Sequence, residues 1–392
     1  MVGGGPAGSA LACLLAREGH DVLLLEAKRF PRDQVCGESV SPEGWRLLEL
    51  IGADERVRAL QPQTVRGMRL VSPDGTAFEG HYRSERPGFA VRRLVLDAAL
   101  LAAARDAGAR VLEGVRVHDL LLDDGRVAGV QAELGREPRT FRARLVAGAD
   151  GRRSIVARRL GLLLAPSRMR RFAVRGHWEA AEGLGELGEM HVADGGYCGV
   201  APLSQTLANV AFVLDSRELD GAKGDLEGFY RRTLRLRWPG IAERLERASL
   251  VEPPKALGPL AVRCRAAAAE GALLLGDAAG FYDPFTGEGV TLALRGAELA
   301  AAATREALAR GGSRPLPRLV SYERARTAAT RDKFRFNHRL QLAVSSPAAA
   351  NAIARRLGRR PDLADRLVGI AGDFVPARSA LGPGFLLKLL TA

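Results

Sequence analysis

The sequence predicts an α/β fold with three parts: a doubly wound, Rossmann-like domain, a β-sheet domain inserted discontinuously into it, and a helical C-terminal region. Three observations predict this fold. A glycine-rich loop at residues 3–8 precedes a helical segment and then a continuous apolar strand at 21–26, as in a parallel sheet. Residues 168–215 alternate between apolar and polar types, which is typical of antiparallel strands. Residues 321–392 have a helical pattern that prolines interrupt.

The composition is that of an ordinary globular protein. Of 392 residues, 47% are hydrophobic and 26% are charged, which excludes a disordered or collagen-like chain. There is no run of about 18 uncharged apolar residues, and the first residues lack the basic and apolar regions of a signal peptide. Four cysteines lie far apart without a CxxC pair. We therefore expect no metal site, no disulfide framework and a reducing, cytoplasmic location.

The chain is basic, with a net charge of +13 at pH 7. No basic run is interleaved with aromatic residues, so nucleic acid is not an expected partner. Within residues 321–392, 13 Lys and Arg face 5 Asp and Glu, and the chain ends in an apolar segment at 385–390. Two interpretations of this region stay open: a helical cap over a substrate pocket, or peripheral contact with a membrane surface.

The elements alternate between the helical and the strand pattern along the whole chain. Helices are predicted at 9–18, 43–60, 93–107, 225–247 and from 290 to about 310, and strands at 21–26, 65–71, 76–82, 110–112, 116–122, 126–133, 144–149 and 271–275. Because the β-rich segments interrupt the nucleotide-type elements, the predicted domains are discontinuous. They are a nucleotide-binding domain at 1–61, 92–165 and 263–320, a substrate-binding β-sheet domain at 62–91 and 166–262, and the helical region at 321–392.

The first motif is GxGxxG, formed by Gly3, Gly5 and Gly8. Its glycines allow the tight turn, the approach of a pyrophosphate, and close packing of helix on strand. Pro6 and Ala7 complete the loop, and the helix that follows presents free amides to phosphate. Glu26 ends the next strand, where an acidic side chain accepts from an adenosine ribose hydroxyl and disfavours the 2′-phosphate of NADP. The motif therefore predicts a dinucleotide site for FAD or NAD.

One expected element is almost absent. A strand of about five apolar residues normally precedes this motif and lies at the centre of the sheet, but only Met1 and Val2 come before Gly3. The loss of that strand would leave its neighbours unpaired. We expect either that translation begins upstream or that the chain is a non-catalytic relic of a flavoprotein.

Two further motifs follow in order. The second is GADGRRS at residues 148–154, and the third is GDAAG at 276–280, which continues into PFTGEG at 284–289. Residues 93–97 read RLVLD. Together these motifs resemble those of FAD-dependent oxidoreductases of the aromatic-hydroxylase fold, in the branch of geranylgeranyl reductases and flavin-dependent halogenases. The resemblance extends from Met1 to about residue 310.

The resemblance implies roles for individual residues. Asp277 would bond the ribityl chain of FAD, the 284–289 loop would lie at the pyrimidine end of the flavin, Asp150 would support the dinucleotide site, and Arg93 would approach the phosphate or ribityl region. Arg32 would orient the flavin or an anionic substrate group. The predicted FAD-binding residues are Gly3, Gly5, Pro6, Ala7, Gly8, Glu26, Arg32, Arg93, Asp150, Gly276, Asp277, Pro284, Gly287 and Gly289.

Two candidate catalytic residues come from the same resemblance. Cys36 lies in a segment where geranylgeranyl reductases place a cysteine near the flavin, and it either donates a proton or lines the pocket. Tyr197 opens YCGVAPL at 197–203, where halogenases carry Trp-x-Trp-x-Ile-Pro and geranylgeranyl reductases carry Tyr-x-Trp-x-Phe-Pro. Gly199 and Ala201 replace large side chains there, which should open space beside the flavin. His177 and His191 are expected to be structural.

The function expected from these features is an FAD-dependent oxidoreductase that acts on a hydrophobic or aromatic small molecule. Monooxygenation is the first expectation, since reduced FAD itself activates oxygen and needs no protein nucleophile. Reduction of carbon–carbon double bonds in an isoprenoid or lipid is the alternative, followed by halogenation. No second GxGxxG is present, so electrons would come from transiently bound NAD(P)H or from a partner reductase.

Overall fold

The structure is a computed structural model, and it describes residues 1–165, 170–222, 224–310 and 315–382. Its strands are β1 (Leu23–Glu26), β2 (Ser39–Val40), β3 (Gln63–Val65), β4 (Gly67–Val71), β5 (Ala77–His81), β6 (Gly88–Ala90), β7 (Arg110–Glu113), β8 (Val115–Asp123), β9 (Arg126–Leu134), β10 (Glu137–Arg142), β11 (Val146–Gly148), β12 (Arg171–Glu179), β13 (Leu187–Ala193), β14 (Gly196–Pro202), β15 (Ala208–Asp215), β16 (Ser249–Leu250), β17 (Lys255–Leu257), β18 (Ala268–Ala269) and β19 (Ala272–Leu274). Its helices are α1 (Pro6–Arg17), α2 (Glu43–Ile51), α3 (Asp54–Arg58), α4 (Arg93–Asp106), α5 (Ile155–Arg159), α6 (Leu226–Arg237), α7 (Pro239–Arg244), α8 (Gly289–Ala309), α9 (Val320–Val344), α10 (Pro347–Gly358), α11 (Pro361–Ala371) and α12 (Arg378–Leu381).

A twisted parallel sheet forms the nucleotide-binding half. β7 pairs with β1, and β11 pairs with β19, both in parallel. Val2 joins these pairs, because it forms parallel bridges to Leu25 on one side and to Gly148 on the other. The strand order is that of a doubly wound fold with its ligand crevice at the carboxyl ends of the strands. The predicted fold class is confirmed.

The central position of this sheet is filled at its carboxyl end. The Val2 amide donates to Ala147 O at 2.8 Å, and the Leu25 amide donates to Met1 O at 2.9 Å. We expected strands β1 and β11 to lack a partner between them. At their carboxyl ends Met1 and Val2 supply that partner. The glycine loop consequently begins where the doubly wound topology requires it.

Helices α1, α4 and α8 cover this sheet. Small residues, chiefly alanine, dominate the buried faces of α1 and α8, so the two helices pack closely against each other. The predicted helix at 43–60 is two helices, because Gly52 adopts a left-handed conformation that ends α2. The hairpin of β8 and β9 agrees with the sequence prediction, and β10 extends it to three strands.

A larger sheet forms the second layer, in the order β16-β12-β15-β14-β13-β4-β5, with β17 also paired to β12. Its central strands are antiparallel, as the alternation in 168–215 predicts. β13 and β4 are instead parallel, which joins the hairpin of β4 and β5 to the sheet. The predicted segments 62–91 and 166–262 thus meet in one sheet.

The C-terminal helices lie against the edge of this large sheet. Phe336 of α9, Leu357 of α10 and Leu363 of α11 pack together with Phe78 of β5. No helix among the described residues is long and apolar enough to cross a membrane. The apolar segment 385–390, on which the membrane-contact interpretation depends, lies outside the described residues.

Candidate functional site

A cavity of about 1290 Å³ lies between the carboxyl ends of the parallel strands and one face of the large sheet. The predicted site residues that line it are Gly3, Gly5, Pro6, Ala7, Glu26, Arg32, Cys36, Arg93, Asp150, Tyr197, Gly276, Asp277, Pro284, Gly287 and Gly289. Residues that are up to 286 positions apart in sequence are therefore brought to one surface. Gly8 is the exception, and its role is internal packing.

The glycine loop is shaped by the absence of side chains. Gly3 has φ +98°, and a Cβ at Gly8 would lie 2.0 Å from Gly3 O, so helix and loop touch through backbone. At Gly5 the nearest atom to such a Cβ is Arg32 Nη2 at 3.5 Å, so this position opens onto the cavity. No side chain in the described chain caps the N-terminus of α1. Its free amides can therefore bind a phosphate.

Glu26 is buried at the end of β1 and holds the glycine loop. Its Oε2 accepts from the Gly4 amide at 2.7 Å, and its Oε1 accepts from the Lys28 amide at 2.9 Å. These bonds keep the carboxylate at the cavity wall, where a ribose hydroxyl is the expected partner. The structure thus adds a second role for this residue, which is to fix the loop.

Two aspartates of the later motifs face the cavity. Asp150 Oδ2 accepts from the Ile155 amide at 2.7 Å, while its Oδ1 is buried without a hydrogen-bond partner among the described residues. Burial raises the pKa of Asp150. Burial also raises the pKa of Asp277, although the guanidinium groups of Arg152 and Arg93 oppose that shift. A buried acceptor with a vacant lone pair fits a ligand that carries hydroxyl or amide donors.

Asp97, the last residue of the RLVLD motif, positions both predicted arginines, a role that the motif alone did not indicate. Arg93 binds it through Nε at 2.6 Å and Nη2 at 2.8 Å, and Arg32 Nη1 binds it at 2.8 Å. The aspartate is fully buried. Because an i, i+4 pair lies on one face of a helix, the spacing of Arg93 and Asp97 was a usable signal.

Cys36 lies in the cavity wall, where the Glu38 amide donates to its Sγ at 3.3 Å. Arg93 lines the same cavity and interacts electrostatically with Cys36. The sulfur is therefore on a surface that a molecule in the cavity can reach.

Glu38 holds the Cys36 loop in place, and no sequence pattern identified it. It is 1% exposed and adopts a left-handed backbone conformation, with φ +58°. Its carboxylate accepts from the Arg93 amide at 2.8 Å, from His177 Nε2 at 2.6 Å and from Asn209 Nδ2 at 2.9 Å. Asn209 also donates to Cys36 O at 2.8 Å. The loop is thus bound to α4, β12 and β15.

His177 connects Glu38 with Arg175 and Glu252. Its Nε2 lies 2.6 Å from Glu38 Oε2, and its Nδ1 lies 2.6 Å from Arg175 Nη1 and 3.1 Å from Glu252 Oε1. The ring is fully buried and does not line the cavity.

A second cluster anchors the start of the same loop. Asp33 accepts from Arg175 Nη2 at 2.5 Å and from Lys255 Nζ at 2.6 Å. Glu252 accepts from Lys255 Nζ at 2.6 Å and from Arg92 Nη2 at 2.9 Å. Each charge has an opposite partner, which is the condition for burying charged groups. We call Asp33, Glu38, Arg92, Arg175, His177, Asn209, Glu252 and Lys255 the loop network.

Tyr197 lines the cavity from β14, but its hydroxyl is already engaged. It donates to Asp283 Oδ1 at 2.5 Å, which also accepts from Gln341 Nε2 at 2.7 Å. Burial and the Asp283 carboxylate raise the pKa of Tyr197 well above its ordinary range. In this arrangement Tyr197 orients the loop before Pro284 and is not a ready proton donor.

Part of the sheet face that closes the cavity is formed by small residues. Gly199 and Ala201 of β14 lie beside Ala211 of β15 and Gly188 of β13, and all four line the cavity. A Cβ at Gly199 would meet only ordinary contacts, the nearest being Met190 Cε at 3.7 Å. The space expected from the two replacements in this motif is therefore present.

Comparison with known proteins agrees with this geometry. Residues 1–337 match the model of a protein family described as an FAD binding domain. The chain belongs to this family. It is 32% identical over 336 residues to the digeranylgeranylglycerophospholipid reductase of Methanothrix thermoacetophila, which covers 83% of this chain and 81% of the relative. It is also 32% identical to a menaquinone reductase of Mycobacterium tuberculosis, over 77% of this chain and 74% of the relative.

Solved structures show the same branch. The structure of a myxobacterial chondrochloren halogenase, an FAD-dependent halogenase, superposes with a TM-score of 0.76 at 26% identity, covering 86% of this chain and 78% of the halogenase. The chain is therefore an FAD-dependent oxidoreductase in the branch that contains geranylgeranyl reductases and flavin halogenases. The resemblance stated from the motifs is confirmed.

The described residues fit FAD on their own chemistry. The Gly5 and Gly287 positions leave open space where backbone can approach a ligand, and the uncapped end of α1 suits a pyrophosphate. Asp150 Oδ1 and the Glu26 carboxylate supply acceptors for ligand donors at the cavity wall. Which of these residues contact FAD stays a prediction.

Proposed function

We propose that this protein is an FAD-dependent reductase that adds two hydrogens across a carbon–carbon double bond of a hydrophobic, isoprenoid-type substrate. The observation that carries the proposal is Cys36, a thiol in the cavity wall whose sulfur accepts a hydrogen bond from the Glu38 amide and which shares the cavity lining with Arg93. Hydroxylation has no need of such a group. This reverses the order of the two activities that the sequence alone favours.

The two added hydrogens would come from different donors. Reduced FAD, when bound, supplies a hydride to one carbon of the double bond. The S–H bond of Cys36 breaks, and its proton goes to the other carbon, which provides the electron pair of the new C–H bond. The sulfur keeps its hydrogen bond from the Glu38 amide and regains a proton from solvent. NAD(P)H, or a partner reductase, restores the two electrons of the cofactor.

The lining supports a bulky apolar substrate, and the relatives support its class. Gly188, Gly199, Ala201 and Ala211 leave room along the sheet side of the cavity, and such pockets bind mainly through apolar surface. Two relatives that are 32% identical are named as reductases of a geranylgeranyl lipid and of menaquinone. Both names support an isoprenoid substrate.

The test uses the purified holoenzyme with NADH or NADPH under anaerobic conditions. A menaquinone and a geranylgeranyl lipid are supplied in detergent, and the product mass is measured. We expect the gain of two hydrogens and bleaching of the flavin bands before substrate is added. Cys36→Ser should keep bound FAD and lose product at least tenfold, as is typical for removal of a general acid.

Cys264→Ser is the matched control, since Cys264 is partly buried and bonded to Ala278 O outside the cavity lining. Product that gains an oxygen atom only in air, with Cys36→Ser as active as the parent, would contradict reduction and restore hydroxylation.

A further inference from the structure

A buried charged cluster lies behind the loop that carries Gly287 and Gly289. Lys333 of α9 places its Nζ 2.7 Å from Glu288 Oε1 and 2.9 Å from Asp373 Oδ1, and it also donates to Ile370 O. Glu288 and Lys333 are 3% and 4% exposed. We call Glu288, Lys333 and Asp373 the Glu288 cluster.

The cluster is adjacent to the cavity without being part of its lining. Gly287 and Gly289, the neighbours of Glu288 in sequence, both line the cavity. Glu288 also directly precedes α8, a helix of 21 residues whose positive end points at this loop. Its Oε2 is buried and has no hydrogen-bond partner among the described residues. An added charge in the cavity would therefore act on a carboxyl group that is buried one residue away from the cavity lining.

The charge state of the cluster follows from its burial. Burial raises the pKa of Glu288 to about 8, against the attraction of Lys333. Burial lowers the pKa of Lys333, but Glu288 and Asp373 outweigh it, so that the net pKa is raised. At neutral pH Glu288 is mostly a neutral acid beside a Lys333–Asp373 ion pair. Besides these groups, the titratable side chain that faces Glu288 is Tyr82, whose hydroxyl stays protonated because burial raises its pKa.

We propose that Glu288 is a proton site coupled to the redox state of the bound FAD: at a pH where it is ionised beside the oxidised cofactor, it takes up a proton when two electrons enter the cofactor and releases it when they leave. Electrons add negative charge beside the carboxylate, which disfavours its ionised form. By linkage, the ionised carboxylate must in turn disfavour the reduced cofactor. Asp373 is partly exposed and connects Lys333 to solvent, the source of the proton. The proposal goes beyond the proposed reductase activity and holds for any reaction of this flavin.

The midpoint potential of bound FAD, measured against pH for the holoenzyme and for Glu288→Gln, tests the coupling. At about pH 6 the acid and the amide are both neutral, so the two potentials should agree. Above about pH 8 the parent carboxyl ionises when the cofactor is oxidised, and its potential should fall more steeply. By about pH 9.5 Glu288→Gln should have the higher potential.

Glu298→Gln is the matched control. Glu298 is on the same helix, α8, but pairs with Arg46 and Arg295 at the surface, so its profile should follow the parent. A profile of Glu288→Gln that coincides with the parent at every pH, or that is displaced equally at every pH, would overturn the proposal. If the variant does not retain FAD, the parent profile decides alone: a straight line between about pH 7 and pH 10 would also overturn it.

Discussion

The glycine loop and the Cys36 loop lie in the wall of the same cavity, but they are built in opposite ways. The glycine loop is shaped by backbone, with Gly3 and Gly8 in direct contact and its single charged anchor, Glu26, only 18 residues further on. The Cys36 loop is held by the loop network, whose side chains come from positions as far apart as 33 and 255. Local geometry fixes the first loop, and long-range charge pairing fixes the second.

The difference predicts two kinds of failure. A backbone contact cannot relax around an added atom, so a change there should disturb the fold and the cofactor together. A paired charge can lose its partner while the backbone stays in place, and the cost is then that of a buried polar group left unsatisfied. Variants in the two loops should therefore separate FAD retention from the chemistry at Cys36.

The largest effect is expected at Gly8. In Gly8→Ala the new Cβ would lie 2.0 Å from Gly3 O, and neither the loop nor α1 can move without breaking the sheet. Overpacking of this kind costs about 1–3 kcal/mol, occasionally more. We expect loss of bound FAD and a lower unfolding temperature, measured by flavin absorbance of the purified protein and by calorimetry.

Gly240→Ala provides the control for that variant. Gly240 lies in α7, and a Cβ there would meet nothing within 4 Å among the described residues. Alanine in a helix is favoured over glycine by about 1 kcal/mol, so stability should hold or rise. Full FAD content in Gly8→Ala would contradict the account of the glycine loop.

The sequence predicts the first loop better than the second for a physical reason. GxGxxG, the acid at Glu26 and the Asp150 and Asp277 motifs can be read from the sequence, because each is a short pattern of residue types at a fixed spacing. Cavity-lining positions for these residues follow from the doubly wound topology. The fold class and the cofactor class therefore follow from the amino-acid sequence, and every predicted site residue except Gly8 lines the cavity.

The loop network could not be derived in this way, because no spacing relates Glu38 to His177 or Asn209. A weaker signal was present. Arg175 and His177 interrupt the otherwise apolar strand β12, and polar residues in a buried strand need partners. The identity of those partners depends on the pairing of β12 with β15 and on the closure of the Cys36 loop over both, which local pattern does not encode.

An intermediate effect is expected at Glu38. Glu38→Gln keeps the shape of the side chain but removes the charge that three donors share, and one amide hydrogen must face the donor of His177 or Asn209. We expect a loss of about 1–3 kcal/mol in the free energy of unfolding, measured in urea. Bound FAD should stay near the parental level, whereas product formation that depends on Cys36 should fall.

Glu79→Gln is the control for the charge change. Glu79 is exposed on β5, and its ion pair is weak, because its Oε1 lies as far as 3.9 Å from Arg69 Nη1. Its stability should stay within about 0.5 kcal/mol of the parent. If Glu38→Gln lost FAD as fully as Gly8→Ala, the two loops would not be independent, and the comparison between them would fail.

The smallest effect on stability is expected at Gly199, on β14 in the cavity lining. A Cβ there would lie 3.7 Å from Met190 Cε and 3.8 Å from Ala211 O, so the site has room and the new ring projects into the cavity. In Gly199→Trp we expect a stability change below about 1 kcal/mol, full FAD content, and loss of turnover for the longest isoprenoid substrates before the shortest. The selective loss is measured as turnover against the chain length of the substrate, in the parent and in the variant.

Leu236→Trp adds the same side chain on α6 at a position that is 82% exposed, and its chain-length profile should match that of the parent. An equal loss for every substrate in Gly199→Trp would mean that the ring displaces the cofactor, so flavin content must be measured beside turnover. Selective loss with flavin retained would place the hydrocarbon chain along β14. The cavity would then have a third wall, fixed by the absence of large side chains and not by backbone contact or by charge.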